Sequence, residues 1–385
     1  MNTAPPILQG YAFARLIGIG GTSTVFLYRK LGTNKHVAVK VSDQTLVNAA
    51  NRQTFMDEIH FLSRLSEHPN ILPILHAGIT DDDRGYMILQ YADGGTLKER
   101  LLARTLSPDV TMTMGIQLAS ALETAHRLGI VHRDVKPSNI LLSSSNIPML
   151  SDFGIAATIY SSGTAQGLSI PWAAPEVIQH QGGGDERSDL YSLAATMFAM
   201  LTGSSPFEYH RHPKDLRELA QIIVHEPLPQ LNENIAPREL ARALGKTMSR
   251  DPDQRYHSVL QFARELQRIQ LLRYGHQTPV TIAGVSPLAA VQNTLPDPAM
   301  VRPEPTVSTK SSDPKHAARS NHDANRTPRS RRHEQRRSKR FIVVALIAIA
   351  AVAATIVGGV SIMDTMVVRP PAIDRMASSV TIFTD

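Results

Sequence analysis

Residues 130–142, IVHRDVKPSNILL, followed a short hairpin later by residues 150–155, LSDFGI, constrain this chain more than any other feature. Apolar runs on either side can anchor a loop that carries Asp134, a lysine two residues on (Lys136) and an asparagine five residues on (Asn139), and the second segment adds another carboxylate, Asp152. Phosphoryl transfer asks a protein for few parts. It needs a carboxylate to orient a hydroxyl and accept its proton, oxygen ligands for Mg²⁺, and a cation near the moving phosphate. Asp134, the pair Asn139 and Asp152, and Lys136 can fill those roles in turn. Either short motif alone occurs by chance in many chains, whereas both together with Asn139 between them carry real information.

The rest of the chain is consistent with such a site. At 385 residues and 42% hydrophobic it can bury a large core, as one two-lobed domain or two smaller ones with extensions. It has no cysteine, which excludes a disulfide framework, a Cys-type zinc site and a thiol nucleophile, and fits a reducing compartment. The net charge of +6 is concentrated in one short run near residue 330 and is not assigned to the folded domain. The first ten residues carry no leader-type pattern, so the domain is expected to stay on the side where it is made.

From Tyr11 the chain reads as strands, YAFARLIG, TVFLYRK and HVAVKV, rich in β-branched and aromatic residues and separated by turn formers. Gly18, Gly20, Gly21 and Ser23 lie between the first two, where the missing Cβ atoms let backbone approach phosphates and positive φ is available. Lys40 then ends the third strand within reach of such phosphates. Residues 45–66 read as a helix with Phe55, Ile59, Leu62 and Leu65 on one buried stripe and Glu58 beside it. HPNILPIL and GYMILQYADGG are two further strands. Ser107 followed by Pro108 opens a helix with Met114, Leu118, Leu122 and Ala125 at helical spacing, ending near Gly129. Residues 186–203 form another helix, expected to alternate core and polar faces, with Gly203 as its C-terminal cap.

Taken in order, these motifs resemble the bacterial eukaryotic-like serine/threonine protein kinases with one membrane span, over about residues 11–273. The resemblance implies an α+β, bilobal protein-kinase fold with a small β-rich N-lobe and a larger helical C-lobe. It implies ATP as substrate, with Mg²⁺, or Mn²⁺ in its place. Glu58 would pair with Lys40. Leu89 would be the gatekeeper, the backbone of Gln90 to Ala92 would face the adenine edge, and Val25, Ala38 and Leu141 would sandwich the ring. Asp189 would brace the catalytic loop, and Arg255 would pair with Glu176. Lys136 with Pro137 behind it is the serine/threonine form of the loop. The segment ending at Glu176 resembles an activation loop with Thr158, Ser161, Ser162, Thr164 and Ser169 as candidate autophosphorylation sites, and Arg133 is a cationic partner for a phosphate there. Ser169 stands where such kinases usually carry Thr, Trp172 where Tyr is commoner, and Leu193 where Gly is usual.

Residues 274–325 are dense in Pro, Ser and Thr and read as a disordered linker. Residues 326–340 hold eight Lys and Arg, directly before an uncharged apolar run at 341–363, which as a helix is about 34 Å long. That exceeds the hydrocarbon thickness of a bilayer, so the run reads as a transmembrane helix, with the basic side and the kinase domain in the cytoplasm and a short tail, 364–385, outside. The basic run is expected to contact anionic lipid rather than nucleic acid. Ala350, Ala354 and Gly358 form a small-residue line that suits a homodimer. The expected partners are proteins with Ser/Thr acceptors, and the expected location is the cell membrane, single-pass. The competing reading is a membrane-tethered pseudokinase that binds nucleotide or partner proteins as a scaffold. Against it, Lys40, Asp134 and Asp152 are all present.

Overall fold

The structure is a computed structural model that describes residues 4–153, 169–180 and 184–282. Five antiparallel strands form the first sheet: β1 (Tyr11–Ile19), β2 (Ser23–Lys30), β3 (His36–Thr45), β4 (Ile74–Ile79) and β5 (Arg84–Gln90), in the order β1-β2-β3-β5-β4. The period-two alternation of β3 separates its side chains onto two faces. Val37, Val39 and Val41 join Phe26, Tyr28 and Ile88 on the outer face. Ala38 joins Leu89, Met87, Phe55 and Ile59 on the inner face, and the alternation places Lys40 on that same side. In register, Ala38 lies opposite Leu89 and Lys40 opposite Met87.

Helix α1 (Ala49–Ser63) covers the inner face with Phe55, Ile59 and Leu62. It is shorter at both ends than the periodicity predicts. Thr45 still belongs to β3, Asn48 caps the helix by accepting from the Asn51 amide at 2.8 Å, and Leu65 is buried from a 3₁₀ turn over Arg64–Glu67.

The second lobe is helical: α2 (Leu97–Ala103), α3 (Pro108–His126), α4 (Pro175–His180), α5 (Glu186–Thr202), α6 (Leu216–His225), α7 (Arg238–Thr247) and α8 (Val259–Tyr274), with a two-stranded hairpin, β6 (Ile140–Leu142) and β7 (Pro148–Leu150), at its upper edge. Ser107 caps α3, and Met114, Leu118, Leu122 and Ala125 are all buried along it. The expectation of a two-faced α5 needs correcting. Every residue from Ser188 to Leu201 is buried, because α3, α7 and α8 surround the helix. Its polar members find partners inside, as with Ser192, whose hydroxyl donates to the Trp172 carbonyl at 2.9 Å. Gly203 ends it in the left-handed region at φ +82°, as expected of a C-terminal cap.

The first residues of the stretch read as a disordered linker are instead packed. After Gly275, Thr278 is buried and Val280 packs on the main helical core. The remaining linker at 283–325, the basic run 326–340, the apolar run 341–363 and the tail 364–385 lie outside the described residues. Among the described residues no helix is long and apolar enough to cross a membrane.

Candidate active site

Asp134 sits in the loop between α3 and β6, and two neighbours fix its carboxylate and backbone carbonyl. Lys136 Nζ donates to Asp134 Oδ2 at 2.6 Å, and Asn139 Nδ2 donates to both Asp134 Oδ2 and the Asp134 carbonyl at 2.9 Å. The same Lys136 ammonium donates to Ser169 Oγ at 2.7 Å, so a residue just before α4 is drawn to the loop.

Beneath this loop lies buried Asp189, near the start of α5. Its Oδ2 accepts from the His132 amide and from His126 Nε2, both at 2.8 Å, and its Oδ1 accepts from the Arg133 amide at 2.7 Å. Those bonds hold Arg133 at φ +68°, a left-handed conformation that is costly for a residue with a Cβ without compensation. His132 is itself structural. Its Nδ1 accepts from the Asp134 amide at 3.2 Å while Nε2 donates to the Ser151 carbonyl at 2.8 Å, which assigns the neutral Nε2–H tautomer and ties the loop to the LSDFGI segment. Its ring also lies 4.6 Å from that of Phe153.

Asp152 follows at φ +63°, and its Oδ1 accepts from Lys40 Nζ at 2.6 Å. Lys40 therefore meets Asp152 and not Glu58, the partner expected of it; Glu58 is half-buried on α1. Desolvation would push the Asp152 carboxyl up, but the charge and hydrogen bond of Lys40, with the charge of Lys136 adding to them, outweigh it and hold the group below the usual carboxylate range. The carboxylate is thus kept ionised, as a metal ligand must be.

Above the loop, Val25, Ala38, Leu89, Ala92 and Leu141 share one apolar cluster between the lobes. Ile17 and Met149 belong to it too and were missed from sequence; Met149 lies opposite Leu141 across the β6–β7 pair. The signal for Ile17 was its place directly before Gly18, on the strand entering the glycine turn. Gln90 is exposed at the end of β5, and its amide donates to the Pro73 carbonyl at 3.0 Å. Gly18 pairs with Val25, and the Gly20 amide donates to the Ser23 carbonyl at 2.7 Å to close the turn that includes Gly21. None of the three glycines adopts positive φ. What they contribute is room: a Cβ on Gly21 would have nothing within 4 Å.

Glu176 and Arg255 form a bidentate pair, Nη1 to Oε1 and Nη2 to Oε2, each 2.7 Å. Arg255 is buried, with Nε on the Ser249 carbonyl at 2.9 Å and its guanidinium 5.1 Å from the Tyr191 ring. Beside Asp134 opens a groove of about 870 Å³ lined in part by Lys136, Ser169, Trp172, Lys98 and Glu208. Thr158, Ser161, Ser162 and Thr164 lie outside the described residues.

Residues 11–267 match the protein kinase domain as a family. The chain belongs to the protein kinase family. This kinase domain is 35% identical over 266 residues to serine/threonine-protein kinase PknK of Mycobacterium tuberculosis, an alignment covering 68% of this chain and 24% of PknK. It is 32% identical over 272 residues to PknJ of the same species, covering 68% of this chain and 45% of PknJ. To PknB of Mycobacterium leprae it is 30% identical over 288 residues, 70% of this chain and 44% of PknB. The chain spans between about a quarter and a half of the length of these bacterial serine/threonine protein kinases.

The donor set fits the cofactor that the family implies. Asp152 offers a carboxylate and Asn139, with its amide nitrogen turned to Asp134, offers a carbonyl oxygen; both are hard ligands suited to Mg²⁺ rather than to softer metals. Bound there, Mg²⁺ would neutralise charge on nucleotide phosphates.

Proposed function

We propose that this protein is an ATP-dependent serine/threonine protein kinase. The observation that carries the reading is the hydrogen-bonded pair of Lys40 from β3 with Asp152 from the segment after β7, beside the group of three formed by Asp134, Lys136 and Asn139 from the loop before β6. In the reaction a Ser or Thr hydroxyl oxygen bonds to the γ-phosphorus of ATP, the bond from that phosphorus to the ADP oxygen breaks, and the hydroxyl proton passes to Asp134. Lys136 stands between Asp134 and Ser169, where it screens charge on the transferring group. Lys40 holds phosphate oxygens, Asn139 and Asp152 hold the metal, and the apolar cluster around Ala38 and Leu141 receives the base. The groove beside Ser169 and Trp172 is the place for a protein segment carrying the acceptor.

The reading extends to autophosphorylation between Thr158 and Ser169 and to a single-pass membrane protein in a signalling pathway. The uncharged run at 341–363, with eight Lys and Arg directly before it, supports a cytoplasmic kinase domain. The test is transfer of labelled phosphate from Mg·ATP by the full chain, to itself and to a generic basic protein, beside Asp134→Asn. Label on Ser and Thr that disappears in the variant is the expected result. ATP binding without transfer by the wild-type chain would replace the enzyme by a nucleotide-binding scaffold.

A further inference from the structure

Beyond α8 the chain does not leave the domain at once. Gly275 turns it at φ +75°, and residues 276–282 run back along α3 toward the turn between α1 and β4. Polar groups, several of them buried, hold this segment at each step. His276 Nε2 meets Asp109 Oδ2 at 3.1 Å. The Thr278 amide donates to Gln270 Oε1 at 2.7 Å, Gln267 Nε2 donates to the Thr278 carbonyl at 2.7 Å, and Thr278 Oγ1 donates to Thr113 Oγ1 at 3.2 Å. Gln270 is fully buried and its amide nitrogen is spent on Asp109 and Thr113, at 2.9 Å each. Val280 then packs on the helical core, and the Thr281 carbonyl accepts from His68 Nε2 at 2.8 Å.

His68 is 1% exposed and uses both ring nitrogens. Nδ1 accepts from the Asn70 amide at 3.1 Å. Asn70 in turn grips β7, its carbonyl accepting from the Leu150 amide and its side chain donating to the Pro148 carbonyl, both at 2.9 Å. Leu150 lies two residues before Asp152. An unbroken run of hydrogen bonds therefore leads from Thr281 through His68 and Asn70 to the strand that delivers the metal-binding carboxylate.

We propose that residues 276–282 form a strap through which His68 positions the Asp152 segment, so that the chain continuing past Ile282 is joined to the domain at a point coupled to the phosphate end of the site. The proposal rests on the kinase reading for its effect on turnover, and on geometry alone for its effect on β7. His68 is a positioning residue: it reaches Asp152 only through Asn70 and Leu150.

The experiment uses the full chain and three variants. Val280→Asp places a charge in the apolar seat of the strap and leaves His68 and the site residues unchanged in sequence. His68→Asn keeps an acceptor near the Asn70 amide but falls short of Thr281. His68→Gln restores a donor at the reach of Nε2. Two quantities are read: hydrogen exchange at the Leu150 amide, and the KM for Mg·ATP against kcat. Networks of this kind modulate a distant site by roughly two- to thirty-fold. The expected result is a rise of that order in KM and in Leu150 exchange for Val280→Asp and for His68→Asn, no further rise when the two are combined, and recovery toward wild type in His68→Gln. Faster exchange across residues 278–282 in Val280→Asp, with Leu150 and KM unchanged, would overturn the proposal. If the wild-type chain transfers no phosphate, the kinase reading fails, and Leu150 exchange still decides the strap.

Discussion

Asp134 has the geometry of a proton acceptor held ready by its neighbours. Asn139 and Lys136 keep one carboxylate oxygen occupied, which fixes the side chain's direction. Asp134→Asn preserves the size of the side chain and its contact with the loop but removes its basicity. Transfer to Ser and Thr should therefore fall by about 10²–10⁴-fold, the usual worth of a positioned proton acceptor, while nucleotide binding measured by calorimetry stays within a few-fold. His68 supports a prediction about pH. Burial lowers its pKa, opposed by the hydrogen bond to Thr281, so the folded protein holds the ring neutral where the unfolded chain, near 6.5, begins to take up a proton. The depressed value means that the unfolded state binds more protons below that point, and stability falls with falling pH. Above pH 6.5 neither state is protonated and the contribution is flat. Urea midpoints measured from pH 7.5 down to 5 should decline below about 6.5, and the decline should shrink in His68→Gln, which does not titrate.

At the scale of elements, the loops and helices that carry chemistry were legible because their residue types are forced. Ser107 and Pro108 announce α3, alternation in HVAVKV places Ala38 and Lys40 on one face, and the spacing from Asp134 to Asn139 lets both close on one point. The ion pair of Lys40 was not legible in the same way. Both Glu58 and Asp152 are carboxylates at sites a lysine can reach, and the choice between them depends on the left-handed backbone at Asp152 and on the set of α1, which no local pattern encodes. The burial of α5 on all sides was hidden for a related reason. Asp189, Ser192 and Thr196 look like a polar face until α3 and α7 close over them, and each is then satisfied from within. The pair between α4 and the loop before α8 is an element-scale device with a measurable cost. Glu176→Ala leaves the buried Arg255 guanidinium with only the Ser249 and Arg187 carbonyls, and should cost about 3–5 kcal/mol. Arg255→Met removes the charge along with the bond and keeps an apolar contact with Tyr191, so it should cost less. Denaturant unfolding of both variants checks the order, and a larger loss in Arg255→Met would contradict it.

The whole chain combines a folded kinase domain with a C-terminal sequence whose apolar and basic runs, on the proposed membrane reading, would make separable contributions to attachment. The 23 residues at 341–363 carry no charge, and the proposed span of a bilayer by them would be an attachment that salt does not reverse. The basic run at 326–340 would work differently. Each Lys or Arg near an anionic surface contributes about 1 kcal/mol, and this attraction is screened by salt within a Debye length. Three lengths of the protein then have three expected behaviours toward vesicles containing anionic lipid. The full chain should stay in the membrane fraction through a high-salt wash and yield only to detergent. A chain ending at Arg340 should bind in low salt and be released by the wash, while one ending at Asn325 should remain in the supernatant throughout. Retention of the shortest form would mean that the folded domain itself carries a lipid-binding surface, and release of the full chain by salt alone would remove the transmembrane reading and leave the basic run as the anchor. The strap adds a condition to any shortened form meant to report on catalysis. A truncation at Gly275 deletes the residues that hold His68, whereas one at Asn325 keeps them, so the longer of these two should show the lower KM for Mg·ATP.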